Sequence, residues 1–314
     1  MIALQITRFQ HVYASVSEHA NTLFVKPLRR QTLYKIVRKE NLGSSVVQFD
    51  VEAPKIAAKA KSGQFIIVRL DEQSERIPLT IADYDREAGT ITMIFQAVGF
   101  STNALKTLEV GDSILDVVGP LGTASEIENY GTVVCIGGGV GIAPVYPIAR
   151  DLKEAGNKVI SVIGARNEDL LFWKDKMAAI SDELLIATDD GSAGIKGFVT
   201  DVLKSVMDRE NVDRVWAIGP MVMMKAVANT TRPSGVKTIV SLNPIMVDGT
   251  GMCGGCRVQI GTETKFACVD GPEFDGHLVD FDLAMRRSSV YKTEELQAVE
   301  HDHQCRIGGI GKCH

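Results

Sequence analysis

The chain has 314 residues, 45% of them hydrophobic and 23% charged, with a formal net charge of −5; that is enough apolar material to bury two medium-sized domains and a smaller module. The acidic balance, with no basic patch, argues against a nucleic-acid partner. The longest apolar runs, such as residues 132–136, are strand-sized and bounded by glycine, far short of the roughly 20 residues that span a bilayer, so no membrane association is expected.

Residues 1–31 carry Arg8, Lys26, Arg29 and Arg30 against the single acid Glu18. That bias is either an organelle transit segment or an upstream extension with no part in the fold. The expected location is accordingly the cytoplasm, or an organelle matrix if the segment is a transit signal. From 32 to about 125, short β-rich runs at 33–37, 46–51, 64–70, 90–96 and 113–118 alternate with turns, the pattern of a small antiparallel barrel. From 126 to 240, apolar strands at 133–136, 159–163, 184–187 and 214–218 precede helical segments at 144–155, 169–180, 199–208 and 221–230. Repeated βα units of this length imply an α/β domain with a parallel sheet. A cysteine module follows at 241–287, then a polar, acid-rich helix and tail at 288–314.

Three features carry chemistry. The first is the loop Gly137-Gly138-Gly139-Val140-Gly141-Ile142-Ala143-Pro144, which leaves a buried strand and opens a helix with Pro144 at its start. Free N–H groups and the helix dipole favour a pyrophosphate there. It is not the G-x-G-x-x-G fingerprint, since Ile142 takes the third glycine position, and the second strand runs into Gly164-Ala165-Arg166 instead of an acid. Thr188-Asp189-Asp190-Gly191 and Ile218-Gly219-Pro220-Met221 also fall just past strand ends, where open α/β sheets bind ligands. The second feature is Arg76-Ile77-Pro78-Leu79-Thr80, where the guanidinium offers a planar fork of donors suited to phosphate and the threonine both donates and accepts.

The third is Asp248-Gly-Thr-Gly-Met-Cys253-Gly-Gly-Cys256 with Cys268 beyond it. The spacing is that of a [2Fe–2S] cradle with one thiolate replaced by a carboxylate, Asp248, Cys253, Cys256 and Cys268 being the ligand candidates, and its glycines let backbone amides approach the sulfides. Zinc is the rival metal, because a Cys-x-x-Cys pair also suits a tetrahedral site. Cys135 reads as a small buried apolar residue. His301, His303, Cys305, Cys313 and His314 form either a metal-binding tail or a flexible terminus.

The glycine loop ending in proline, Gly164-Ala165-Arg166, Asp190-Gly191, Gly219-Pro220 and the Arg76–Thr80 motif together resemble the ferredoxin–NADP reductase superfamily over residues 32–287. The resemblance implies an FAD-binding antiparallel barrel and a pyridine-nucleotide domain. It places Arg76 on the flavin pyrophosphate and Thr80 near the isoalloxazine, with Pro78 and Leu79 between them in the same flavin-binding motif, and Gly99, Ser101 and Thr102 in the phosphate-contacting turn that follows. It places Gly137, Gly138, Gly139, Gly141, Pro144, Arg166, Asp190, Gly191, Gly219, Pro220 and Met221 on NAD(H). Gly119-Pro120-Leu121-Gly122 is similar to the turn closing the flavin barrel. Ile218 stands where some members carry a cysteine near the nicotinamide.

With a C-terminal [2Fe–2S] module, the order of parts resembles two families of electron-transfer subunits. One serves dihydroorotate dehydrogenase and normally has four cysteines; the other is the small subunit of NADH-dependent reduced ferredoxin:NADP oxidoreductases, whose cluster has an aspartate ligand. Asp248, the segment 77–83 and Asp270-Gly-Pro-Glu-Phe-Asp-Gly-His277 favour the second. The resemblance then implies an oxidoreductase subunit using FAD, a [2Fe–2S] cluster and NAD(H). Its partner would be a larger flavin and [4Fe–4S] subunit that binds NADP(H), performs electron bifurcation and reaches ferredoxin. No protein general base is nominated, since the cofactors carry the chemistry. Arg166 suits a 2′-phosphate while Glu168 repels one, and NADH is the expected donor. A non-catalytic, zinc-stabilised nucleotide-binding module is the reading from a different class.

Overall fold

The computed structural model describes residues 33–72 and 74–307, with side chains through residue 300. The segment 1–31, the side chains of His301, His303 and Cys305, and the residues Cys313 and His314 lie outside the described residues.

Seven strands, β1 (Tyr34–Asn41), β2 (Val46–Glu52), β3 (Phe65–Arg69), β4 (Ile77–Asp85), β5 (Thr90–Gln96), β6 (Ser113–Ile114) and β7 (Asp116–Leu121), pair antiparallel in the order β6-β1-β2-β5-β4-β3-β7. The two ends of this sheet are consecutive in the chain, with Leu115 alone between them, so the sheet curls into a nearly closed barrel. Its interior is filled by alternate residues, Phe49 and Phe95 meeting edge to face at 5.3 Å among Ile36, Ile66, Val68, Ile91 and Met93. Each such apolar side chain contributes roughly 1.5–3 kcal/mol on burial. Two short helices, α1 (Pro54–Ala57) and α2 (Phe100–Lys106), complete the barrel.

Strand β4 was not among the expected strands, and it contains Pro78. The structure explains how proline is tolerated. Residues 77–80 pair only with β3, and pairing with β5 begins at Ile81, so the N–H that proline lacks faces no neighbour. That one-sided half of β4 is the part that faces the cavity described below.

The second sheet runs β11 (Ile195–Lys196), β10 (Glu183–Thr188), β9 (Lys158–Ala165), β8 (Thr132–Gly138), β12 (Arg214–Ile218), β13 (Lys237–Ser241) and an antiparallel edge strand, β16 (Glu273–Asp275). Strands β8 to β13 are parallel. Their alternation sorts side chains to two layers. Val134, Ile136, Val215 and Ala217 pack with α5 (Val199–Arg209) and α6 (Met221–Thr231), whereas Val133, Cys135 and Trp216 pack with α3 (Ile142–Glu154) and α4 (Lys174–Ile180). Cys135 is fully buried.

The helix expected over 169–180 is interrupted. A single 3₁₀ turn covers Glu168–Leu170, Trp173 takes a left-handed φ of 54°, and α4 starts only at Lys174. Tertiary packing decides this: Leu171 and Phe172 are buried, and the Trp173 indole donates to Gln48 Oε1 of the barrel at 3.2 Å. Nearby, Arg150 of α3 donates to Asp83 of β4 at 2.7 Å, with Lys176 3.6 Å from the same carboxylate. Barrel and sheet are thus clasped by one acid and two cations.

The cysteine module contains β14 (Arg257–Ile260) and β15 (Glu263–Phe266) and sends β16 to the sheet edge. It is followed by α7 (Phe281–Ser288) and α8 (Lys292–Ile307). From β16, the half-buried Glu273 accepts from Ser125 Oγ at 2.6 Å and from Trp216 Nε1 at 3.3 Å, tying the linker after the barrel to the sheet. Burial raises the Glu273 pKa, opposed by those two hydrogen bonds. A carboxyl with a raised folded-state pKa stabilises the fold while protonated, and that stabilisation is lost as pH rises through the raised value. Glu273→Gln keeps the shape without the charge. In urea unfolding, the wild type is expected to lose stability with rising pH above the ordinary glutamate value of about 4.3, and the variant to lose less; equal slopes would contradict the assignment.

Candidate functional site

A cavity of about 810 Å³ lies where the barrel meets the C-terminal edge of the parallel sheet, within the range usual for small-molecule sites. The barrel contributes Phe65, Pro78, Leu79, Thr80, Ile94 and Gln96; the sheet contributes the ends of β8, β9 and β12. Of the residues singled out from sequence, Pro78, Leu79, Thr80, Gly138, Gly139, Gly141, Pro144, Arg166, Gly219 and Pro220 line it together. Gly137 lies just behind, Asp190 and Gly191 follow the lining residue Asp189, and Met221 precedes the lining residues Val222 and Met223.

The glycine loop needs its glycines chiefly for space. A Cβ on Gly141 would sit 2.1 Å from the carbonyl oxygen of Ile218, and one on Gly138 2.3 Å from Met223 sulfur. Gly141 itself has an ordinary φ of −61°, so the constraint there is contact between the β8 and β12 loops. Gly139 is the opposite case: its surroundings are open but its φ is +56°. A 3₁₀ turn, Gly139–Gly141, precedes the helix, which places Pro144 third in α3 and not first. Proline is tolerated there because the N–H groups of the first turn have no partner within the helix.

Arg76, Gly99, Ser101 and Thr102 sit outside the cavity lining. The Ser101 hydroxyl donates to Glu75, which brings the start of α2 beside the Arg76 segment, and the Thr102 hydroxyl accepts from the amide of Gly99 at 3.0 Å. Arg76 is exposed, and no hydrogen bond or ion pair holds it among the described residues. At the outer end of the sheet, Ser192 donates to Asp190 from both its hydroxyl (2.7 Å) and its amide (2.9 Å), which lowers the Asp190 pKa, and accepts from the Glu168 amide at 2.8 Å. Lys174 pairs with Glu168 at 3.1 Å, while Arg166 is exposed at the same edge.

In the cysteine loop, Asp248 accepts from the amides of Thr250 at 3.0 Å and Cys253 at 2.8 Å, which hold its carboxyl below the usual range despite some desolvation. The Gly251 amide donates to Cys268 Sγ at 3.1 Å and the Gly255 amide points at Cys253 Sγ at 3.5 Å. Cys256 and Cys268 are buried with their sulfurs 3.2 Å apart, whereas Cys253 is exposed. Asp248, Cys253 and Cys256 lie in one loop and Cys268 beyond the β14–β15 hairpin, and the four are not drawn together: no group of three or more His, Cys, Asp or Glu side chains forms a metal-ligating set among the described residues. The donor chemistry nevertheless fits a cluster. It offers three thiols, a carboxylate with acceptor capacity to spare, amides aimed at sulfur, and Gly249, Gly251 and Gly254 at positive φ. Burial, then the neighbouring Cys256 thiol, push the Cys268 pKa up to about 12.

Sequence reasoning missed Phe65, Met246 and Pro272 as lining residues. Phe65 was hidden within an ordinary barrel strand; Pro272 lies in the Asp270–His277 segment, which carried a signal but no assigned place.

Residues 243–280 match the iron–sulfur cluster binding domain of dihydroorotate dehydrogenase B, and residues 135–229 match the oxidoreductase NAD-binding domain. Over 268 residues, 85% of this chain and 95% of the other, the sequence is 51% identical to a Thermotoga maritima protein named as a homolog of the dihydroorotate dehydrogenase B (NAD(+)) electron transfer subunit. The chain belongs to this family of electron transfer subunits. Identity is 32% over 222 residues, 68% of this chain and 84% of the other, with the dihydroorotate dehydrogenase B electron transfer subunit of Fusobacterium nucleatum. A solved chain from a structure of an NADH-dependent reduced ferredoxin-NADP oxidoreductase, determined for insight into flavin-based electron bifurcation, shares 49% identity and a TM-score of 0.82, covering 87% of this chain and 99% of that one. The fold is of the ferredoxin–NADP reductase type, and the protein is an electron-transfer subunit of an oxidoreductase. No helix among the described residues is long and apolar enough to cross a membrane.

Two outcomes are expected in this electron transfer subunit. Gly141→Ala forces the β8 and β12 loops apart, at a cost of about 1–3 kcal/mol for overpacking, and weakens NADH binding; an unchanged thermal midpoint and unchanged NADH titration would contradict the contact. Metal uptake by metal-free protein must displace thiol protons, so apparent affinity for zinc or iron rises with pH, tested by chelator competition at several pH values.

Proposed function

We propose that this chain is the NAD-facing subunit of an NADH-dependent ferredoxin:NADP oxidoreductase. NADH lies along the sheet edge on Gly137, Gly138, Gly139, Gly141, Pro144, Arg166, Asp190, Gly191, Gly219, Pro220 and Met221. FAD is held by Arg76, Pro78, Leu79, Thr80, Gly99, Ser101 and Thr102. Asp248, Cys253, Cys256 and Cys268 hold a [2Fe–2S] cluster. When bound, the flavin accepts a hydride and returns its two electrons singly, and the cluster carries one electron at a time.

The observation that carries this reading is one cavity lined from both sides, by Pro78–Thr80 of the barrel and the glycine loops of the sheet. A flavin on the barrel side and a nicotinamide on the sheet side would share this cavity. The chain's own part is to bind, orient and shield. Arg76 has no protein partner among the described residues and suits a pyrophosphate. Thr80 offers a hydroxyl within the cavity, and the mostly apolar lining, including Phe65, Leu79 and Ile94, excludes water from the transfer. At the outer end, Asp190 and Glu168 oppose a 2′-phosphate that the exposed Arg166 would attract, and Lys174 pairs with Glu168; NADH as the donor is carried by the family likeness.

The partner is a larger subunit with its own flavin and [4Fe–4S] centres, binding NADP(H) and reaching ferredoxin; the bifurcating step belongs to that subunit. The 49% identity and 0.82 TM-score with the chain from the reduced ferredoxin-NADP oxidoreductase structure support this partner, although the Thermotoga maritima relative named for dihydroorotate dehydrogenase is as similar, at 51%. Asp248 in the place of a fourth cysteine supports it too.

Replacing Asp248 by cysteine and by alanine is expected to shift the electron paramagnetic resonance signal and reduction potential of the cluster in both variants; an unchanged signal and potential in both would remove the carboxylate from the ligand set. NADH is expected to reduce the purified protein faster than NADPH, by about tenfold or more for about 1.4 kcal/mol of discrimination, and a preference for NADPH would overturn the donor assignment. Co-expression with each candidate catalytic subunit decides the partner: a stable complex with a dihydroorotate dehydrogenase alone would reject the reading.

A further inference from the structure

The cysteine loop meets the barrel at Gly249, whose φ of +76° suits glycine and whose backbone lies close against two barrel side chains. A Cβ on Gly249, beside Asp248, would lie 2.6 Å from Leu121 Cδ1 and 3.1 Å from Ile67 Cγ1. On the other side of the same turn, the Thr123 amide donates to the Gly271 carbonyl at 2.7 Å and its hydroxyl to the Val269 carbonyl at 3.2 Å. A Cβ on Gly122 would meet Gly271 O and Phe65 Cε1, each at 2.9 Å. Residues 121–123 are thus gripped between two arms of the cysteine module, one on each side.

Behind this turn runs β3. Phe65 lines the cavity and Ile67 faces Gly249, so cavity and cysteine loop are separated along that strand by two residues, about 7 Å. Single-electron transfer slows exponentially with separation, and small displacements of the loop are amplified in rate.

We propose that Leu121, seated on the bare backbone of Gly249, is a positioning residue that sets the separation between the flavin face of the barrel and the cluster loop. This role rests on the cofactor reading above. Leu121 needs no contact with either group; it acts through the loop it holds.

The test is a double-mutant cycle of Gly249→Ala and Leu121→Ala in the full chain. Gly249 has a φ of +76°, so alanine there is strained whatever its neighbours, and the double variant separates strain from contact. Three readouts apply: amide hydrogen exchange over residues 247–252, the electron paramagnetic resonance spectrum of the dithionite-reduced protein, and the rate of cluster reduction relative to flavin reduction after mixing with NADH. Each single variant is expected to speed exchange and slow the relative cluster phase by about tenfold, the scale of coupling between touching residues. Truncating Leu121 leaves room for the methyl that Gly249→Ala adds, which makes the double variant better than the sum of the singles. Additive losses, or wild-type behaviour in both singles, would overturn the proposal. Should Gly249→Ala fail to assemble, Leu121→Ala and Thr123→Val carry the test, with unchanged exchange and transfer in both overturning it. Iron and flavin analysis of the wild type separates the two claims: a wild type lacking either overturns the cofactor reading and this one with it, whereas a loaded wild type with additive variants overturns only the positioning role.

Discussion

Strand β3 is buried on both faces, and the arrangement of the whole protein depends on that. Ile66 and Val68 point into the barrel, while Phe65 and Ile67 join the apolar layer shared by the parallel sheet and the cysteine module. A two-residue period makes this unavoidable: once two alternate side chains fill the barrel, the next two must be covered from outside or remain in water. The cover is supplied by Leu121, Phe274 and the residues around Cys256 and Cys268. Alone, the barrel would leave the Phe65 and Ile67 face of β3 in water; in the whole chain that face belongs to the layer shared with the cysteine module.

Polar ties then fix the angle at which the parts meet. Asp83 holds Arg150 and Lys176 on one flank, and Glu273 joins Ser125 to Trp216 on the other. These are directional bonds on an apolar seam. Burial supplies most of the free energy, and the buried or half-buried charges select one relative position.

Much of the fold was legible because its elements repeat a simple pattern. The strands at 46–51, 90–96 and 214–218 and the helices at 199–208 and 221–230 fall within a residue or so of the observed bounds. What was not legible depended on distant contacts. Strand β4 was missed, and only the bulged pairing shows that the nitrogen of its Pro78 faces no strand. Nothing local in Lys174–Ile180 explains the left-handed Trp173, which answers to Gln48 some 125 residues earlier. Likewise β16 looks like a loop until it is seen to extend the sheet beside β13. For the site, glycine spacing and the Arg76–Thr80 run pointed to residues that do share one cavity, but Phe65, Met246 and Pro272 enter it only through the packing of the three parts. The cysteine loop is the reverse case: the spacing of its donors is plain in sequence, while their present placement is governed by amides that bind Asp248 and Cys268.

On the proposed reading, electrons enter this chain as hydride at the barrel–sheet cavity and leave singly through the cysteine loop. Rapid mixing of the purified, cofactor-loaded protein with NADH, followed by absorption across the visible range, tests this most directly. Flavin bands are expected to bleach first, with iron–sulfur absorption following within the same turnover. A colourless protein, or one whose flavin bleaches while its iron–sulfur absorption stays unchanged, would contradict it.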